Sequence, residues 1–130
     1  MNGKRGINML LSEIQAVLNA TVLTSETLDD LQNISIQNAC GCDLMSDVLA
    51  FVKDQALLLT GLINSQVIRT AEMMDISAVC FVRGKTPPED VIALADEKQI
   101  ALLTTTYPLY TACGMLYEHG LGGDAHAKAL

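Results

Sequence analysis

Two cations stand one residue apart in Arg83-Gly84-Lys85-Thr86, a run that ends like a phosphate-binding loop. A P-loop lysine acts together with backbone amides that wrap the phosphates, and the earlier glycine this requires is replaced by Val79, inside an apolar run. Pro87 and Pro88 remove further amide donors. The run therefore reads as a turn from a strand into a helix. Cys40-Gly41-Cys42 brings two thiols close together, but a closed zinc site needs a second ligand pair. Cys80 lies in an apolar run and Cys113 on a helical stripe, where packing accounts for both, and His119 and His126 lie far along the chain. No metal site is expected. A nucleophile would need a positioned base, and neither a G-x-S-x-G elbow nor a Cys-His arrangement occurs. The acidic pairs Asp29-Asp30 and Glu89-Asp90 fall in a loop and at a helix start, where solvation and capping explain them. No catalytic residue and no cofactor is expected, so the chain does not read as an enzyme. A redox role for Cys40 or Cys42 would require a lowered thiol pKa.

The remaining polar chemistry gathers in the turns that follow three apolar runs. Thr60-Gly61 with Asn64 and Ser65 follows the first, Arg83-Gly84-Lys85 the second, and Thr104-Thr105-Thr106-Tyr107 the third. Ligands of open α/β sheets bind beyond the carboxyl ends of the strands, so these turns are the candidate site for a small anion or a nucleotide. Turn and cap duty in the same residues is the competing reading.

The elements that would position these turns follow from periodicity. Ser12 is placed to cap a first helix, with Gln15 reaching back and Ile14, Val17 and Leu18 inward. A short strand over Ala20 to Leu23, a polar loop from Thr24 to Asn33 and an alternating strand from Ile34 to Cys40 come next, the last broken by Gly41. Asp43 is placed to cap a helix carrying Leu44, Met45, Val48, Leu49 and Val52, which ends at Lys53-Asp54. From Ala56 the rhythm is regular. Strands Ala56 to Thr60, Ala78 to Val82 and Ile100 to Thr104 alternate with helices over Ser65 to Met74, from Thr86 onward, and from about Pro108 to Glu118. Thr86, two prolines and Glu89 read as a capped start for the second of these helices. Continuous apolar strands are covered on both faces, so the fold class is α/β: a mainly parallel sheet flanked by helices, with three consecutive β-α units in the C-terminal two-thirds. Residues 1–119 form one domain, and 120–130, with three glycines, are expected to be a mobile tail.

Composition narrows the partners. Half of the 130 residues are hydrophobic, yet the chain has no Trp, two Phe and three Tyr, so stacking platforms for bases are scarce. A net charge of −7 repels phosphate backbones, which argues against nucleic acid. No stretch approaches the ~18 apolar residues of a membrane span, the start does not read as a signal peptide, and four cysteines are few for a disulfide scaffold. A cytoplasmic location is expected.

The segment from Ala78 through Val82-Arg83-Gly84-Lys85-Thr86-Pro87-Pro88-Glu89 to Ala95, continuing through Ile100 to Thr106, resembles the DRTGG domain family. It is especially similar to the related N-terminal domain of bacterial HPr kinase/phosphorylase. Asp43 to Leu49 and Leu57 to Gly61 also look like that family. Where the family has its Asp-Arg pair this chain has Leu62-Ile63-Asn64-Ser65, and where it has Thr-Gly-Gly this chain has Val82-Arg83-Gly84, so only Gly84 matches that motif directly. The resemblance implies a stand-alone regulatory or oligomer-forming domain without kinase chemistry. The expected function is thus a non-catalytic regulatory or assembly domain acting through self-association, a dimer favoured, with a partner enzyme as a further contact. The alternative is a sensor of a nucleotide or other anion at the strand ends.

Overall fold

The computed structural model describes residues 8–25, 28–51 and 55–122. In chain order they form β1 (Met9–Leu10), α1 (Leu11–Leu18), β2 (Thr21–Val22), a 3-10 helix (Leu28–Asn33), β3 (Ser35–Ile36), β4 (Asn38–Gly41) and α2 (Met45–Phe51). Then follow β5 (Ala56–Thr60), α3 (Ser65–Met73), β6 (Ala78–Phe81), α4 (Glu89–Lys98), β7 (Ala101–Thr104) and α5 (Leu109–Glu118). The main sheet runs β2-β7-β6-β5-β4, with β4 to β7 mutually parallel and β2 antiparallel at the β7 edge. A separate antiparallel ribbon joins β1 to β3.

Both faces of the sheet are covered, as continuous apolar strands require. Leu57, Leu59, Cys80 and Leu103 point to one side, where they meet Ile14 and Leu18 of α1 and Ala112 and Leu116 of α5. Ala56, Leu58, Val79, Phe81 and Leu102 point to the other, against Val48 of α2, Val67, Ile68 and Ala71 of α3, and Val91 and Ala95 of α4. Every residue of β5 and β6 is buried. Burying each leucine, valine or phenylalanine among them stabilises the fold by about 1.5–3 kcal/mol before entropy is counted.

Four local expectations are corrected. The first helix starts at Leu11, not after Ser12: Leu10 holds the cap position and its amide donates to Glu13 Oε1 at 2.8 Å. Leu11 is fully buried, and seating it draws the first turn two residues earlier than the polar pattern implies. The run from Ile34 to Cys40 is two strands in two sheets, because Gln37 between them already donates its amide to Gln55 O at 3.0 Å and sets the register of β4 on β5. Gly41 does not break that strand; it is its last residue. Thr86 does not cap α4, which begins at Glu89 with Pro88 in the cap position. A residue before proline is disfavoured in the helical region, and both Thr86 and Pro87 precede one. Helix winding therefore waits until Glu89.

Val52, Lys53 and Asp54, expected to finish α2, lie outside the described residues, as do 123–130 of the expected tail. Of that tail, Leu121 is buried and Gly122 O accepts the Ala39 amide at 3.1 Å, placing the exit of α5 beside β4.

Candidate functional site

The parallel strands β4, β5, β6 and β7 all finish at one edge of the sheet, so their following turns meet there. After β4 the chain stays in register for one more residue, with the Cys42 amide on Leu59 O at 3.0 Å. Asp43 is thereby delivered to the end of β5. Its Oδ1 accepts the Gly61 amide at 2.7 Å and the Thr60 hydroxyl at 2.9 Å, and the same hydroxyl accepts the Leu62 amide at 3.1 Å. The expectation that Asp43 caps α2 is thus corrected: its carboxylate ties two strand ends together.

The turn after β6 supplies the cations. Arg83 and Gly84 both have positive φ, 59° and 70°, and the Lys85 amide closes the bend on Val82 O at 3.2 Å. Two bonds from the neighbouring turn fix it: Arg83 N donates to Tyr107 O at 2.9 Å and Gly84 N to Thr105 O at 2.8 Å. Lys85 Nζ donates to Gly61 O at 3.1 Å, and Thr104 Oγ1 donates to Lys85 O at 2.6 Å. Gly61 therefore has a carboxylate on its backbone N–H and an ammonium on its backbone C=O, one on each of the two peptide groups that flank its Cα. A Cβ on Gly61 would lie 3.1 Å from Arg83 Nη2 and 3.7 Å from each Asp43 carboxylate oxygen. The missing side chain lets guanidinium and carboxylate converge over one backbone position.

The Gly61 amide above all holds the Asp43 carboxyl below its ordinary value; some burial opposes it, and the Thr60 hydroxyl and the charges of Arg83 and Lys85 assist. A depressed folded-state pKa contributes stability that is present above the unfolded value of roughly 4 and is lost as pH falls through the folded one. Thermal unfolding followed between about pH 3 and 6 should show a shallower acid-side decline in Asp43→Asn than in the native chain. Parallel declines would mean that Asp43 does not couple to folding.

The remaining candidates separate. Asn64 caps α3, its side chain accepting the Gln66 amide at 3.1 Å, and Ser65 is the exposed first residue of that helix. Thr105 is buried, and its hydroxyl donates to Leu18 O at 2.7 Å on the α1 side of the sheet. Thr106 is exposed beyond it. Thr60, Gly61, Arg83, Gly84, Lys85 and Thr104 are brought together by the contacts above, whereas Asn64 and Thr105 serve the scaffold. Asp43 is the member that the sequence pattern missed. Its position just before an apolar helical stripe looks like a cap, and only the pairing of β4 beside β5 shows its other use.

Burial favours the neutral thiol at Cys40, Cys80 and Cys113. Burial first, then Cys42, Cys113 and Asp47, pushes Cys40 up to about 11, and burial with Cys113 pushes Cys80 up to about 12. Cys42 Sγ lies 3.3 Å from both the amide and the carbonyl of Leu44. Among the described residues no group of three or more His, Cys, Asp or Glu is placed to hold a metal ion.

A mainly parallel sheet with helices on both faces and polar turns gathered at its carboxyl edge defines an α/β module of the kind that carries sites on its loops. The chain belongs to the DRTGG domain family, whose profile matches residues 13–119. Among solved structures it is similar to the CBS and DRTGG domains of the regulatory region of Clostridium perfringens pyrophosphatase, crystallised with its activator diadenosine tetraphosphate. The TM-score is 0.68 at 15% identity, over 89% of this chain and 51% of that one. The chain thus spans about half the length of that regulatory region. No protein of curated function matches it. No helix among the described residues is long and apolar enough to cross a membrane.

Proposed function

We propose that the chain is a non-catalytic regulatory module that senses a small anionic ligand, a nucleotide or related polyphosphate, at the carboxyl edge of its sheet. The observation that carries this reading is the convergence of Arg83 and Lys85 on Gly61, a paired positive charge in a chain of net charge −7. The family and the regulatory setting of its structural relative support it. Regulation of a partner enzyme, as the likeness to the N-terminal domain of HPr kinase/phosphorylase implies, and a cytoplasmic location belong to the same reading.

A thermal-shift panel of ATP, diadenosine tetraphosphate and inorganic pyrophosphate tests it. A ligand at a hundredfold excess over its Kd stabilises the native state by about 2.7 kcal/mol, enough to raise the midpoint measurably. The double variant Arg83→Ala, Lys85→Ala should lose that shift while keeping its circular dichroism spectrum. An unchanged affinity in the variant would reject this site.

Self-association is a second reading, favoured by one observation. Tyr110 and Tyr117, two turns apart on α5, are 90% and 73% exposed. Along α5 the one charged residue is Glu118, at its last position, whereas α2 to α4 carry Asp47, Arg69, Glu72, Glu89, Asp90, Asp96, Glu97 and Lys98. A second copy packing along α5 would meet two exposed aromatic rings and little charge. Sedimentation equilibrium should find a dimer that Tyr110→Ser with Tyr117→Ser converts to monomer; a monomeric native chain removes the reading.

A further inference from the structure

Asp43 occupies the place that an anionic ligand would be expected to take at this edge. Its carboxylate oxygen takes the backbone amide of Gly61 and the hydroxyl of Thr60, and both its oxygens lie beside the spot over Gly61 that Arg83 Nη2 approaches. An amide, a hydroxyl and two cations are the donors by which phosphate groups are held. Here a side chain of the protein fills them. Asp43 is itself exposed, so its carboxylate can turn into water without leaving a buried charge behind.

We propose that Asp43 is an internal competitor for the strand-end site, a specificity-determining residue that a ligand displaces from Gly61 and Thr60. This rests on the anion-sensing reading above and adds the class of ligand that succeeds. A monoanion replaces one negative charge by another and gains little. A diphosphate or longer polyphosphate sets one group on the Gly61 amide and the Thr60 hydroxyl and directs further charge to Arg83 and Lys85, whose neutralisation by Asp43 has just been released. The site therefore selects against monovalent anions by holding its own.

Isothermal titration of inorganic pyrophosphate into the native chain, Asp43→Ala and Asp43→Asn tests the proposal. Asp43→Ala vacates the donors and should bind about tenfold more tightly than the native chain, a coupling of ordinary size between neighbouring groups. Asp43→Asn keeps an acceptor for Gly61 and Thr60 without the charge and should fall between the two. It also keeps the test open where the alanine variant fails to fold by circular dichroism. If neither folded variant binds more tightly than the native chain, Asp43 is a structural clamp and the proposal is overturned. When that happens while the native chain still binds in a manner that depends on Arg83 and Lys85, the sensing site stands without its competitor. Absence of pyrophosphate binding in all three proteins overturns both.

Discussion

Phe81→Ala is expected to cost about 3–5 kcal/mol, the largest single loss expected among the described side chains. Phe81 is fully buried and ends β6, the central strand of five, where it packs among the residues under α2, α3 and α4. No other described side chain buried to the same degree is as large, and its neighbours Leu58, Val79 and Leu102 are held in the sheet and cannot collapse into the space. Its carbonyl also accepts the Thr105 amide at 2.9 Å, one residue from the cationic turn. Small domains are stable by only about 5–15 kcal/mol, so the variant should sit near its unfolding threshold. Urea denaturation with a Phe81→Leu control decides the matter: leucine should lose far less. Equal losses would show that volume at this position is not what matters.

Gly41→Ala is expected to cost about 1–3 kcal/mol by overpacking. A Cβ there would sit 2.5 Å from Cys113 Sγ, closer than such atoms approach, and 3.2 Å from Leu109 Cδ1 on α5, a tight contact. One methyl group on β4 therefore has to push α5 away from the sheet or force Cys113 into another rotamer. The clash is specific, so it should be rescued: Cys113→Ala removes the sulfur, and the double variant should recover much of the loss. Chemical denaturation of the two single variants and the double closes a thermodynamic cycle. Strictly additive losses would place the cost in the backbone of β4 instead.

The sequence was most legible where local and long-range demands coincide. The runs Ala56 to Leu59 and Ala78 to Val82 are apolar throughout and bounded by turn residues, which reads as buried strands, and the structure forms β5 and β6 there. The short alternating run from Ile34 to Cys40 was less so, because a period of two does not say which partner each half will find. Only the antiparallel ribbon with β1 and the parallel ladder with β5 divide it. Cap positions failed for a related reason. Ser12, Asp43 and Thr86 all have the right chemistry to cap a helix, but buried Leu11, the end of β5 and two prolines decided their surroundings. At the strand ends the residue types of Thr60, Arg83 and Lys85 were readable, whereas the contact of Asp43 with Gly61 spans separate strands and needed the sheet order.

Arg83 stands apart among the described non-glycine residues with positive φ, since Asn19, Gln55, Asp75 and Gln99 all precede strands or end helices while Arg83 follows a strand. The left-handed region costs a residue with a Cβ roughly 1–2 kcal/mol, which glycine at this position would avoid. Folding meets that strain through the two bonds from the next turn, so under the proposed sensing role the root of the guanidinium is oriented before a ligand arrives and little ordering entropy would be charged to binding. Stability and affinity thus pull in opposite directions at a single position. A sequence drifting toward greater thermal resistance would be drawn to glycine there, and the proposed sensing role is what would hold arginine at that bend against such drift.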